Sequence, residues 1–163
     1  MGISLDDDEL WQFVGQAHTG IVTTLRRDGT PITLPVWHVA IDRRIYLKTF
    51  AALSKVGRIR NDPRAAFMVE AGHGWTQLRA VSMQTRAEVI EPGDEEQAAR
   101  QALGEKYPPD IDVPLDRLPA AARAHYGNDE VIVRLTPVGK TLSWDNSRLH
   151  LLPGEPANIC DGD

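Results

Sequence analysis

Hydrophobic positions recur along this chain at two spacings. Between residues 5 and 17, Leu10, Trp11 and Val14 fall at helical intervals. Ser4 stands where a cap is needed, and the acids Asp6, Asp7, Asp8 and Glu9 suit the positive end of a helix, so a helix is predicted over 5–17. Residues 19–25 are rich in β-branched side chains and read as a strand. Arg27-Asp28-Gly29-Thr30 is a tight turn in which Gly29 supplies the positive φ. A second strand is expected over 30–41, bent or at an edge because Pro31 and Pro35 lie inside it. Asp42-Arg43-Arg44 is a second turn, 45–49 a third strand, and the three strands form a meander.

The spacing then changes. A short helix is expected over 52–61, burying Val56 and Ile59 and stopped by Asp62-Pro63, since a residue before proline resists helical geometry. A strand over 64–70, a Gly72-His73-Gly74 loop and a long extended stretch over 75–90, bulged near Gln84, follow. After the Pro92-Gly93 break, 94–107 is helical. Residues 108–119 are polar and proline-rich, 120–126 form another short helix, and 131–135 and 141–144 are strands. Six or more strands with few helices between them predict a mainly antiparallel β-barrel with added helices. One domain over 1–152 and a loose tail over 153–163 are expected, as 163 residues suit a single core.

Composition narrows the function. The formal charge is −5, which disfavours nucleic acid, but residues 43–64 hold seven basic residues against the single acid Asp62. That window carries +6 and the rest of the chain −11, a distribution that suits a small anionic ligand. No apolar run reaches the length of a membrane span, and the acidic start does not resemble a signal peptide, so a cytoplasmic protein is expected. The sole cysteine, Cys160, has no partner for an internal disulfide. The five histidines are at least 20 residues apart and form no compact metal-ligand set. No P-loop, no GxGxxG behind a strand and no GxSxG is present.

The segment from Ile45 to Arg64 carries the chemistry: a strand, a loop of small residues, then a helix beginning near Ser54 and Lys55. Unpaired N–H groups and the positive dipole end at such a start stabilise an anion. Lys55 adds a charge, a hydroxyl from Thr49 or Ser54 can donate to phosphate, and Arg58 or Arg60 can supply a second cation. The alternative on these residues alone is a helix cap with solvated charges.

The Thr30-Pro-Ile-Thr-Leu-Pro-Val-Trp37 strand, followed by Lys48-Thr49, Ser54-Lys55 and Asn61-Asp-Pro-Arg64, resembles the pyridoxamine 5′-phosphate oxidase-like family. This is the split β-barrel group of flavin and deazaflavin (coenzyme F-420) proteins. The likeness extends through Gly74-Trp75, Leu78-Arg79 and Ala87-Glu-Val-Ile90, and resumes at Ser143-Trp144-Asp145 and Arg148-Leu149. It implies a homodimer with the cofactor in a groove between subunits. Thr33, Pro35, Val36, Trp37, Lys48 and Thr49 would then lie along the ring system, with Ser54 and Lys55 on the phosphate. The resemblance implies that Arg79 and Trp144 reach the site from the other subunit. Trp144…Arg148-Leu149-His150 is similar to the ending of the true oxidases, so Arg148 and His150 are substrate candidates, as is His38. Where members of the family often carry glycine, this chain has Gln84-Thr85.

The resemblance also implies the chemistry. The leading expectation is a coenzyme F-420-dependent reductase passing a hydride to a small conjugated or unsaturated acceptor, because the basic window suits a lactyl-oligoglutamate tail. The alternatives are an FMN-binding oxidoreductase and a non-catalytic cofactor- or tetrapyrrole-binding protein.

Overall fold

A computed structural model describes residues 3–108, 117–126 and 129–149. Helix α1 (Asp7–Gln16) starts at Asp6, not at Ser4. The Asp6 carboxylate accepts the Glu9 N–H at 2.9 Å while the Glu9 carboxylate accepts the Asp6 N–H at 2.9 Å. Two otherwise orphaned donors are thereby satisfied at once. Leu10, Phe13 and Val14 form its buried face.

Strands β1 (Gly20–Leu25) and β2 (Pro31–Val36) form a hairpin closed by Gly29 at φ +83°. The single strand expected over 30–41 is two strands. After β2 the chain breaks at Trp37-His38, and β3 (Val39–Ile41) pairs with β4 (Arg44–Phe50) instead. The turn between β3 and β4 places Asp42 and Arg43 at φ +48° and +60°, the paired left-handed geometry of a two-residue hairpin. Helix α2 (Ser54–Asn61) leads to β5 (Arg64–Ala71), a 3-10 turn over Trp75–Gln77 and β6 (Arg79–Val89). Then come α3 (Asp94–Lys106), α4 (Ala120–Tyr126), β7 (Glu130–Pro137), β8 (Leu142–Asp145) and a 3-10 turn over Asn146–Arg148.

The described strands make one antiparallel sheet in the order β2-β1-β5-β6-β7-β4-β3, with β8 also on β6. The two ends of that order, β2 and β3, are consecutive in the chain, so the bend at Trp37-His38 curls the sheet back on itself. This is the mainly antiparallel barrel with added helices expected from the pattern, and the split barrel that the resemblance implies. The predicted meander holds only in halves, one on each side of the bend. The β5–β6 register runs without interruption from Arg64↔Arg86 to Ala71↔Arg79, so no bulge stands opposite β5 at Gln84. Gln84 instead lies where β6 changes partner, from β8 (through Ser82) to β7 (from Thr85).

What permits the bend is a long-range contact. The Tyr107 hydroxyl takes the His38 N–H at 3.0 Å and lies 2.9 Å from the His38 carbonyl and 2.6 Å from that of His18. Lys106 Nζ donates to the Gly15, Ala17 and His38 carbonyls at 2.9, 2.8 and 2.9 Å. Backbone groups released from the ladder and from the end of α1 are thus satisfied by Lys106, the last residue of α3, and by Tyr107, which follows it.

The main core gathers Phe13, Val14, Val22, Leu47, Ile59, Phe67, Val81, Met83 and Leu135. A second cluster packs α3 through Ala99 and Leu103 on Tyr46, Val39 and Ile132. Gly20 is required by this packing. A Cβ there would stand 2.4 and 2.5 Å from the ring of Phe67, which is fully buried, and 3.0 Å from His38 Nδ1. Gly20→Ala is expected to destabilise the fold by about 1–3 kcal/mol through overpacking, read as a lowered urea midpoint. An unchanged midpoint would mean that the Phe67 ring has room to move.

Candidate functional site

Ser54 and Lys55 open helix α2, following a turn in which Leu53 N–H bonds the Phe50 carbonyl at 3.1 Å and Val56 N–H that of Leu53 at 2.9 Å. Leu53 offers no side-chain cap. No carboxylate stands in the first turn. The Lys55 side chain is half-buried and, among the described residues, has no hydrogen-bond or ion-pair partner. Burial and the neighbouring charge of Arg58 both hold its pKa below the ordinary lysine value. The chain therefore keeps a desolvated, uncompensated ammonium at a helix start, an arrangement that an anion stabilises.

Arg58 lies three residues on and shares a face with Lys55, since three residues turn a helix by about 300°. Its Nε donates to Thr24 Oγ1 at 2.8 Å, fixing the guanidinium against the end of β1 while its two Nη groups make no bond among the described residues. Thr49 is buried on the inner side of β4, just before the turn into α2. Ser54, Lys55, Arg58 and Thr49 are therefore brought to one end of the barrel.

Other predicted residues go elsewhere. Arg60, five positions from Lys55, lies around the helix from it. It lines a groove of about 480 Å³ with Ile59, Pro63 and Arg86, between α2 and β6. Lys48 points to the outer side of β4 and pairs with Glu130 at 2.9 Å. Val36 belongs to the core, whereas Thr33 and Pro35 face outward on edge strand β2, with Thr33 Oγ1 2.9 Å from that of Thr23. Trp37 is 58% exposed and stacks on Tyr107, ring centroids 4.8 Å apart and nearly parallel.

One of the substrate candidates, His38, is contradicted by its surroundings, and another, Arg148, is engaged within the chain. His38 is fully buried, its Nε2–H donating to the Val14 carbonyl at 2.8 Å, so it is a core residue that no ligand in an open groove reaches. Arg148 fastens the end of the chain to the start of α1, through Glu9 at 2.6 Å and the Ser4 carbonyl at 3.0 Å. His150 lies outside the described residues. Thr85 is buried, and its hydroxyl has no hydrogen-bond partner among the described residues.

Arg79 and Trp144 lie on adjacent strands but on opposite faces of the sheet. Trp144 pairs in register with Ala80, next to Arg79. Arg79 lies over the Phe13 ring at 4.5 Å, 3.7 Å from the Asp145 carboxylate, with its buried Nε unpartnered. It lines a groove of about 700 Å³ that also meets Phe13, His18, Glu70, Gln77 and Asp145. Lys55 lines neither groove. Arg58 contacts the Thr24–Ala65 level of the sheet and Arg79 stands at the Ala71 level. Six residues of β5 separate the two levels, about 20 Å along the strand. Within one chain Arg58 and Arg79 do not meet.

The curled antiparallel sheet, with helix α2 against one end, is a split β-barrel. Residues 6–139 match the pyridoxamine 5′-phosphate oxidase family, and the chain belongs to that family. The conserved hypothetical protein Rv2991 of Mycobacterium tuberculosis is similar, at 28% identity over 94% of each chain with a TM-score of 0.73. HutZ, the heme storage protein of Vibrio cholerae, shares the fold at 15% identity over 88% of this chain and 96% of its own, TM-score 0.66. An F420 reductase shares it at 23% identity over 80% and 94%, TM-score 0.57. No curated protein sequence matches the chain.

Proposed function

We propose that the protein is an oxidoreductase that holds a ribityl-phosphate cofactor, coenzyme F-420, with the phosphate on Lys55, and reduces a small conjugated or unsaturated acceptor. The observation that carries this reading is the unpartnered, half-buried ammonium of Lys55 at the start of α2, with Arg58 beside it. The cofactor supplies the hydride. The protein's part is to bind, orient and exclude water. FMN is the second reading, since a single phosphate also fits this seat.

The same reading makes the protein a homodimer. The Arg58 and Arg79 levels of the sheet sit about 20 Å apart in one chain, and a two-fold axis can set one chain's α2 end against the other's Arg79 end. Edge strand β2 is open at Pro31, Thr33 and Pro35, and Trp37 beyond it is exposed. In light scattering the protein is expected to run as a dimer. A monomer at micromolar concentration that still binds cofactor would refute the shared site.

Function is tested by titration. The reading expects a protein that purifies colourless, quenches F-420 fluorescence and reoxidises the reduced coenzyme with one of a panel of enones and quinones. A protein that purifies yellow with a flavin spectrum favours FMN. Binding without turnover across the panel would make it a carrier rather than an enzyme.

A further inference from the structure

We propose that Arg26, at the mouth of the β1–β2 hairpin, extends the cationic seat of Lys55 and Arg58 into a track for a chain of carboxylates. The track favours a cofactor whose phosphate carries a polycarboxylate tail over one that ends at the phosphate. The inference rests on the reading of Lys55 as the phosphate seat.

The geometry runs outward from Thr24. Alternation along β1 turns Thr24 inward, and Thr24 Oγ1 receives Arg58 Nε–H at 2.8 Å. Arg26 follows two residues later on the same side, about 7 Å further along the strand direction. Its backbone is fixed: its N–H donates to the Thr30 carbonyl and its carbonyl accepts the Gly29 N–H, both at 2.9 Å. The side chain is exposed on a rigid hairpin end. Arg26 lies near enough to Arg58 that its charge helps to push the Arg58 pKa down, after burial.

Among the described residues, neither Arg26, Lys55 nor Arg58 forms an ion pair, as is also true of Arg27 and Arg60, whereas Arg43, Arg44, Lys48 and Arg64 do. Asp28, two residues on, lies within the field of Arg26 and accepts the Thr30 N–H at 2.9 Å. Three cations in a row, each acting on the next, remain without an ion pair at the end of the barrel. One phosphate compensates Lys55 and the helix start, and leaves the outer two arginines with charge for further carboxylates.

Dissociation constants for F-420 with a multi-glutamate tail and for FMN, measured in wild type and Arg26→Gln by fluorescence titration, test this. Arg26→Gln is expected to weaken F-420 about tenfold, to leave FMN within twofold and to flatten the salt dependence of F-420 binding. Unchanged F-420 affinity, or an equal loss for both cofactors, would overturn the track. Failure of the phosphate seat itself reads differently: Lys55→Ala would then leave both constants unchanged, and the track would fall with it.

Discussion

Lys55→Ala is expected to weaken binding of F-420 or FMN by about 1.5–3 kcal/mol, roughly ten- to 150-fold in dissociation constant. The loss comes from one charged hydrogen bond made where water is partly excluded. The Lys55 pKa is already lowered by burial and by Arg58, so the free protein holds this charge at a cost that a bound phosphate relieves. The fold should not suffer, because the ammonium has no partner among the described residues that its removal would strand. Arg60→Ala is the contrast: equally basic and on the same helix, but facing the other groove, it should leave the constant within about twofold. An effect of equal size for both substitutions would mean that α2 attracts ligands through its net charge alone.

The second large effect is on stability against acid. Burial holds the His38 pKa down to about 4, with the charges of Lys106 and His18 adding to it, against the hydrogen bond to the Val14 carbonyl. In the unfolded chain a histidine titrates near its ordinary 6.5. Between these values the unfolded state binds the proton and the folded state does not, so stability falls as pH drops from about 6.5 towards 4. The full loss is on the order of 3 kcal/mol. Urea unfolding at pH 7 and pH 4.5 should show most of it. His38→Gln, which can still donate to Val14, should lose much less over that range. Equal losses in both proteins would place the acid sensitivity elsewhere.

Local sequence made much of this molecule legible. The β-branched run at 20–25 and Gly29 fixed the first hairpin. Pro63 ended α2, and Val56 and Ile59 fell on its buried face as their spacing required. The capping box of Asp6 and Glu9 starts two residues after Ser4, the cap that the hydrophobic spacing favours. The break at Trp37-His38 was not legible, because the group that satisfies His38 N–H is the hydroxyl of Tyr107, 69 residues away. Periodicity cannot report a contact at that range, so one strand was expected where two exist.

The candidate site divides in the same way. Ser54 and Lys55 followed from a local signal, a helix start with a lysine on it. Lys48, Arg60 and Arg148 are basic residues of the right kind whose directions are set by β4, by the turn of α2 and by the partner Glu9. Their sequence positions alone do not show those directions. Arg26 lies outside the basic window over 43–64, and only the Arg58–Thr24 bond shows that β1 brings it there.

A crystal structure with F-420 or FMN soaked in tests the central claim directly. The account predicts a phosphate oxygen within hydrogen-bonding distance of Lys55 Nζ at the start of α2, with an Arg58 Nη group beside it. Phosphate density anywhere else, with Lys55 still free, would contradict it.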